Sequence, residues 1–258
     1  YRKCNPDSFQ FQKHRDALRR KDLSDFQLNI QLASIIEDEF NAAYFDRKFT
    51  LNIGDRRNPR WVSKGISPYK MYLAHYFKNV RLLRDPVLME ELEKFKLLKS
   101  KVSAVITTNY DLFLEQHVFP EDYTVFVNQE DLFGADSYNI AEIYKIHGSA
   151  TDANSIVITQ KDYEKFNDSR KLIIAKMLTL FAESPIIFLG YSFTDENIRS
   201  IITDFLSCLS KSQLETINEH FIFISYKKGE RSLLEVNRTI ISLLLKYRLP
   251  KYKQTISD

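Results

Sequence analysis

From Val102 onward, short β-rich apolar runs alternate with amphipathic helical stretches, and this alternation constrains the fold more than any other feature. The apolar runs are Val102–Thr107, Ile143–Ile146, Ile186–Leu189 and Phe221–Ile224. The helical stretches between them are Asp111–His117, Lys161–Phe166, Arg170–Glu183 and Glu196–Leu209. Strands separated by helices pair in parallel, and the helices cover both faces of the sheet. We therefore predict an α/β fold with a parallel sheet over residues 101–258.

Residues 1–100 are predicted to form a mostly helical N-terminal part of the same domain. Ser24 has the character of an N-cap for a helix from Asp25 to about Phe45. Its candidate core positions are Phe26, Ile30, Ile36 and Phe40. Ser67-Pro68 opens a second helix, and a third is expected over Val87–Leu98. The second helix carries an aromatic stripe at helical spacing, which is typical of a core face: Tyr69, Tyr72, Leu73, Tyr76 and Phe77.

Composition excludes several classes of protein. The 258 residues are 44% hydrophobic and include 19 Phe and 14 Tyr, which is ample material for a core. A net charge of +3 is too small to indicate a nucleic-acid surface. No run approaches the roughly 18 apolar residues of a membrane span. The two cysteines, Cys4 and Cys208, cannot form a disulfide framework or a four-cysteine zinc site, so we expect a reducing, cytoplasmic setting.

Three of the predicted strands lead directly into polar clusters. The clusters are Thr107-Thr108-Asn109-Tyr110-Asp111, His147-Gly148-Ser149 and Gly190-Tyr191-Ser192-Phe193-Thr194-Asp195. Ligands of open parallel sheets bind beyond the carboxyl ends of the strands, so we expect the clusters to converge there. Each cluster also has a purely structural interpretation. Asn109, Asp111 or Asp195 could cap the helix that follows, and His147 could be a hydrogen-bonded structural histidine.

Taken together and in this order, the clusters resemble the motifs of sirtuins, particularly the sirtuin-like domains of bacterial anti-phage defence proteins. In that family, the counterparts of Asn109 and Asp111 face the nicotinamide ribose of NAD, and a His-Gly pair like His147-Gly148 is catalytic. The counterparts of Gly190 and Ser192 contact the adenosine side. The resemblance implies a Rossmann-like NAD-binding core in which NAD is the substrate rather than a cofactor.

The resemblance also implies a role for each residue. Asn109 would position a water molecule or the ribose hydroxyls, and Asp111 would orient the ribose or stabilise positive charge. His147 would act as the general base, since imidazole has an ordinary pKa of about 6.5. The further candidate NAD contacts are Thr107, Thr108, Gly148, Gly190, Ser192 and Asp195.

Two departures from the sirtuin pattern guide the functional prediction. The family's Gly-Ala-Gly phosphate loop does not occur in these 258 residues, and we expect it to precede Tyr1 in a longer chain. The four zinc cysteines of deacylating sirtuins do not occur either, so we expect no zinc lobe and no metal. We therefore predict an NAD glycohydrolase that acts in anti-phage defence as a homo-oligomer with a partner or trigger. A catalytically silent nucleotide-binding or sensor module is the alternative, and a protein deacylase comes third.

Overall fold

The computed structural model describes residues 8–53, 60–120, 123–133, 141–191 and 193–224 of the protein. These residues divide into two compact units, with the boundary between Ile173 and Ile174. The helices are α1 Ser8–Arg19, α2 Asp25–Phe45, α3 Arg60–Ser63, α4 Pro68–Lys78, α5 Pro86–Lys96, α6 Gln160–Glu164, α7 Phe166–Ser169, α8 Lys171–Glu183, α9 Glu196–Ser207 and α10 Lys211–His220. The strands are β1 Ala104–Thr107, β2 Tyr123–Phe126, β3 Ala141–Lys145, β4 Ile186–Leu189 and β5 Phe221–Ile224. No helix within the described ranges is both long enough and apolar enough to cross a membrane.

The helical N-terminal part is confirmed, and its helices begin where the capping residues predict. The Ser24 hydroxyl accepts a hydrogen bond from the backbone N–H of Gln27, and the Gln27 side chain accepts one from the backbone N–H of Ser24, which completes a capping box. Ser67 caps α4 by accepting from Lys70, with Pro68 at the first helical position. These caps satisfy backbone donors that the first turn of a helix leaves unpaired.

The core positions of these helices are only partly those predicted. Phe40 is buried and packs against Leu51 and Tyr69. The other predicted positions of α2 are half-buried, and the buried side chains of that helix are instead Leu28, Leu32, Ala33 and Ala43. The prediction that Tyr76 lies in the core is wrong, because its side chain is 58% exposed. Phe77, the next residue of the stripe, is half-buried and packs against Tyr110, so within the stripe the exposure is confined to Tyr76 at this end of α4.

Parallel pairing, the main prediction of the alternating pattern, is confirmed. In the first unit the strands form a three-stranded sheet in the order β1-β3-β2, and both pairings are parallel. The prediction from sequence overlooked β2, which pairs with β3 through the register Tyr123↔Ala141. The stretch predicted as a helix over Asp111–His117 is a single turn of π-helix, Leu114–Val118. Side chains of the sheet pack with α5 and the π-helical turn in one hydrophobic cluster, which includes Leu92, Val118, Phe119, Tyr123, Ala141 and Ile143.

The second unit contains β4 and β5, whose bounds match the predicted strands and which pair in parallel. The helices α9 and α10 connect them. The buried side chains of α9 recur at helical spacing: Ile198, Ile201, Ile202, Phe205 and Leu206. Phe205 and Phe181 make an edge-to-face contact with ring centroids 5.7 Å apart. This unit therefore has its own aromatic and aliphatic core.

Candidate active site

The first two polar clusters lie side by side because β1 and β3 are neighbouring parallel strands. Thr107, the last residue of β1, is in register with Lys145, the last residue of β3. The pairing continues past the strand ends, where the backbone N–H of Ile146 donates to the carbonyl of Thr107 at 3.1 Å. The loop Asn109–Asp111 and the pair His147-Gly148 therefore leave the same edge of one sheet, as the sequence predicts.

Tyr110 ties these two loops together, a role that the sequence pattern does not indicate. Its backbone carbonyl accepts a hydrogen bond from the N–H of Ala150 at 2.8 Å. Its phenolic hydroxyl donates to the carbonyl of Val157 at 2.7 Å. The ring also packs near Ala74 and Phe77 of α4. One residue thus connects the Asn109 loop, the segment that follows the histidine, and the N-terminal helices.

The contacts of the loop show whether Asn109 and Asp111 cap a helix or are available to a ligand. One carboxylate oxygen of Asp111 accepts a hydrogen bond from the backbone N–H of Phe113 at 3.0 Å, which is the pattern of an Asx turn. Asp111 does not cap the π-helical turn that follows, because Phe113 occupies the N-cap position there and no side chain caps it. Asn109 caps no described helix. Its backbone N–H donates to the Thr107 hydroxyl at 3.1 Å, and its side chain is exposed. Thr108 lies between them and is half-buried. Asn109 is therefore the residue of this cluster that faces solvent.

His147 does not lie in an open crevice, contrary to the sequence-based expectation. The residue is 4% exposed. Its ring makes edge-to-face contacts with Tyr163 and Phe166, at centroid distances of 5.6 and 5.7 Å. Its backbone carbonyl accepts a hydrogen bond from the N–H of Val157 at 2.9 Å. The ring is packed into the protein, and its position is strongly determined.

The glycine of the His-Gly pair is required by the backbone. Gly148 has φ of +93°, a conformation that favours glycine. A Cβ atom built on it would lie 2.2 Å from the carbonyl oxygen of Ser155 and 2.7 Å from the backbone nitrogen of Ile156. The chain therefore folds back directly against Gly148. This packing explains Gly148 without a ligand, and its predicted contact with NAD stays a prediction.

Two cationic side chains hold the segment Ser155-Ile156, which folds back against Gly148. The buried guanidinium of Arg170 donates to the carbonyls of Val127 and Ser155, the latter at 2.9 Å, and burial lowers the pKa of this group. The ammonium of Lys70, from α4, donates to the carbonyl of Ile156 at 2.9 Å. It also pairs with Asp162 at 2.5 Å. The His147 loop is thus held from the end of β2, from α4 and from α6.

A third buried cation lies between the two loops. Lys145, at the end of β3, is 1% exposed. Its ammonium is 2.7 Å from a carboxylate oxygen of Glu115 and donates a hydrogen bond to the backbone carbonyl of Asp111. Lys145 comes two residues before His147 in the sequence, but no role was predicted for it. The available signal was a lysine directly after the apolar pair Ile143-Tyr144 in the strand Ala141–Lys145.

The third cluster belongs to the second unit. Gly190 has φ of +63°, with nothing within 4 Å of where a Cβ atom would lie, and Phe193 also has a positive φ of 56°. Asp195 is buried and caps α9 by accepting hydrogen bonds from Asn197 and Ile198, so its structural interpretation holds.

Burial, together with the nearby Asp195, raises the pKa of Tyr191. Ser192 lies outside the described residues. The expected convergence of this cluster with the other two stays a prediction.

The described part of the chain holds no group of three or more His, Cys, Asp or Glu side chains that could bind a metal ion. Independence from zinc stays a prediction.

Comparison with known proteins finds a family match over the second part of the chain. The family described as "SIR2-like domain" matches residues 103–243, more than half of the 258-residue chain. The NAD(+) hydrolase ThsA of Enterococcus faecium is 34% identical over 157 residues, which cover 55% of this chain and 33% of that protein. The NAD(+) hydrolase ThsA of Bacillus cereus (strain MSX-D12) is 28% identical, with 59% and 30% covered. Defense-associated sirtuin 2 of Bacillus subtilis is 28% identical, with 49% and 12% covered. The chain therefore spans about a third or less of the length of these relatives.

Proposed function

Because the chain belongs to the SIR2-like family, we propose that it hydrolyses NAD⁺ to nicotinamide and ADP-ribose. The observation that carries this proposal is the placement of Asn109 and His147 beyond the ends of two adjacent parallel strands, β1 and β3. Ligands of such sheets bind at that edge. Two relatives that cover more than half of this chain are named NAD(+) hydrolases, which supports the same reaction.

The proposed reaction breaks the bond between the nicotinamide nitrogen and C1′ of the ribose. The bonding electron pair leaves with nicotinamide, and C1′ develops oxocarbenium character. The oxygen of a water molecule then bonds to C1′ and releases one proton, so that NAD⁺ and water give nicotinamide, ADP-ribose and H⁺. Asn109 positions the water or the ribose hydroxyls, because its amide both donates and accepts hydrogen bonds. His147 accepts the proton, and the carboxylate of Asp111 stabilises positive charge on the sugar.

Product analysis of the full-length protein tests this proposal. We expect chromatography to show equal amounts of nicotinamide and ADP-ribose formed from NAD⁺, with no need for an acylated peptide. A requirement for acyl-lysine peptide would point instead to the deacylase. Intact NAD⁺ after prolonged incubation, under every assembly condition tested, would contradict the proposal.

A catalytically silent nucleotide-binding module is the second candidate, and the burial of His147 favours it. A base that is 4% exposed and packed against the rings of Tyr163 and Phe166 offers little surface to a substrate. Calorimetric titration with NAD⁺, followed by analysis of the products in the same sample, distinguishes the two functions. A silent module would bind NAD⁺ and return it unchanged, whereas the hydrolase would release nicotinamide from the same sample.

We further propose that the protein acts in the cytoplasm in defence against phage, as a homo-oligomer whose activity a trigger controls. One relative is named a defense-associated sirtuin, which supports this setting. Uncontrolled hydrolysis of NAD⁺ would harm the cell that makes the enzyme, so a restraint is required. We expect nicotinamide release to rise with the assembly state measured by sedimentation across protein concentration. Full activity in a stable monomer, without any added factor, would contradict this.

A further inference from the structure

The buried ion pair between Lys145 and Glu115 lies directly beneath the loop that carries Asn109. We propose that this pair is a positioning device for the loop Asn109–Asp111, a role that rests on the proposed function of that loop. Lys145 ends β3, and Glu115 lies in the π-helical turn Leu114–Val118 that follows the loop. The pair therefore connects the strand that leads into His147 with the segment that leaves Asn109.

The contacts of the ammonium group are specific. Its nitrogen is 2.7 Å from Glu115 Oε1, and the two side chains are 1% and 16% exposed. The same nitrogen donates to the backbone carbonyl of Asp111. One cation thus holds a side chain and a main-chain group that come from the two ends of the same short segment.

Stability alone does not account for this pair. Removing an ammonium and a carboxylate from water is costly, and buried ion pairs are often no more stabilising than apolar side chains of the same volume. The strand β3 would accept an apolar residue at its end, next to the fully buried Ile143 and Tyr144. An apolar residue, however, could not donate a hydrogen bond to Asp111. The Lys145 ammonium supplies this bond, and Glu115 balances its charge.

The bond to Asp111 completes a set of contacts that fixes the loop at both ends. The Thr107 hydroxyl accepts from the N–H of Asn109 at the start. At the other end, Lys145 holds the carbonyl of Asp111, and the Asp111 carboxylate accepts from the N–H of Phe113. Supporting contacts of this kind hold catalytic groups near their productive geometry, and a displacement of about 1 Å can cost roughly 100-fold in rate.

Three variants separate positioning from stability. Lys145→Met removes the bond to Asp111 and leaves Glu115 buried without its countercharge, so both melting temperature and kcat should fall. The double variant Lys145→Met/Glu115→Gln removes both charges, so its melting temperature should recover toward the wild type while kcat stays lowered by about 10- to 100-fold. Glu115→Gln alone keeps the bond to Asp111, so it should lose more stability but less kcat than the double variant.

The matched control is Leu32→Ala, which loses packing in a separate core cluster of the same unit, formed with Leu18 and Leu28. It should lower the melting temperature while kcat, measured well below that temperature, is retained. In the two variants that lack Lys145, KM should change less than kcat, because the loop is aligned for the reaction rather than for affinity. Turnover that follows melting temperature across the whole set, with full kcat restored in the double variant, would overturn the proposal.

Amide hydrogen exchange tests the same inference without any substrate. In the double variant, the amides of residues 109–113 and of Ala150 should exchange at least about 10-fold faster than in the wild type, whereas those of α5 should not change. Unchanged protection would overturn the positioning role even if turnover fell. If the wild-type protein releases no nicotinamide, the proposed function fails, and exchange alone still decides whether Lys145 positions the loop.

Discussion

Gly148 shows how closely a single residue can be constrained at this edge of the sheet. Its positive φ and the carbonyl of Ser155, 2.2 Å from where a Cβ atom would lie, both exclude a side chain. Gly148→Ala should therefore cost more than the roughly 1–3 kcal/mol of backbone strain alone. Gly65→Ala is the matched control, because Gly65 has φ of +70° with nothing within 4 Å. Urea unfolding of both variants measures the difference, and equal losses of stability would contradict the close packing.

The placement of the candidate residues beyond the strand ends could be predicted from sequence, but their surroundings could not. Asn109, Asp111 and His147 follow apolar runs, so their place beyond strand ends is a local property of the chain. The burial of His147 depends on Tyr163 and Phe166, which no local pattern connects to it. The role of Tyr110 likewise depends on partners that are distant in the sequence. Sequence therefore predicts where these residues lie along the strands, and tertiary contacts determine which of their groups are accessible.

At the scale of elements, the ion pair between Lys70 and Asp162 joins α4 to α6. The carboxylate is partly buried, which by itself would raise its pKa. Hydrogen bonds from Lys70 and Thr159 and the charge of Lys70 outweigh burial, so the pKa of Asp162 lies below its usual 3.8. A carboxylate with a lowered pKa in the folded state stabilises the fold above its unfolded pKa, and this contribution is lost as pH falls through the folded value.

Asp162→Asn should therefore destabilise the protein most at neutral pH. Breaking a buried pair costs about 3–5 kcal/mol, and we expect less here because the side chains are 12% and 18% exposed. Unfolding measured from neutral pH to below 3.8 should show the two proteins becoming more alike as the pH falls. A difference in the free energy of unfolding that does not change with pH would show that the charge of Asp162 contributes nothing.

The elements differ in how well sequence predicted them. The helices α2 and α4 begin at the predicted caps, and β4 and β5 have the predicted bounds, because their signals are local. Five of the described helices and strands were overlooked: α1, α3, α7, α10 and β2. The strand β2 is only four residues long, Tyr123–Phe126, and its identity comes from pairing with β3. The π-helical turn Leu114–Val118 was mistaken for an ordinary helix, since so short a segment does not show the period of its apolar positions.

At the scale of the whole molecule, we predict that folding requires no metal. The chain has two cysteines, Cys4 and Cys208, and structural zinc sites need about four ligands held together. Elemental analysis of the purified protein should find no stoichiometric zinc, and a chelator should leave the melting temperature unchanged. Zinc at one equivalent per chain, with a lower melting temperature after chelation, would contradict this prediction.

The central claim is that Asn109 and His147 carry out hydrolysis of NAD⁺. Its most direct test is to measure nicotinamide release and melting temperature on the same samples of Asn109→Ala and His147→Gln. Glutamine suits position 147 because it limits the cavity that alanine would leave beside Phe166. The exposed residues Asn52 and His75 provide matched controls, Asn52→Ala and His75→Gln. We predict folded variants at 109 and 147 whose turnover is about 10²–10⁴-fold lower, with both controls unaffected. A folded His147→Gln protein with wild-type turnover would contradict the account.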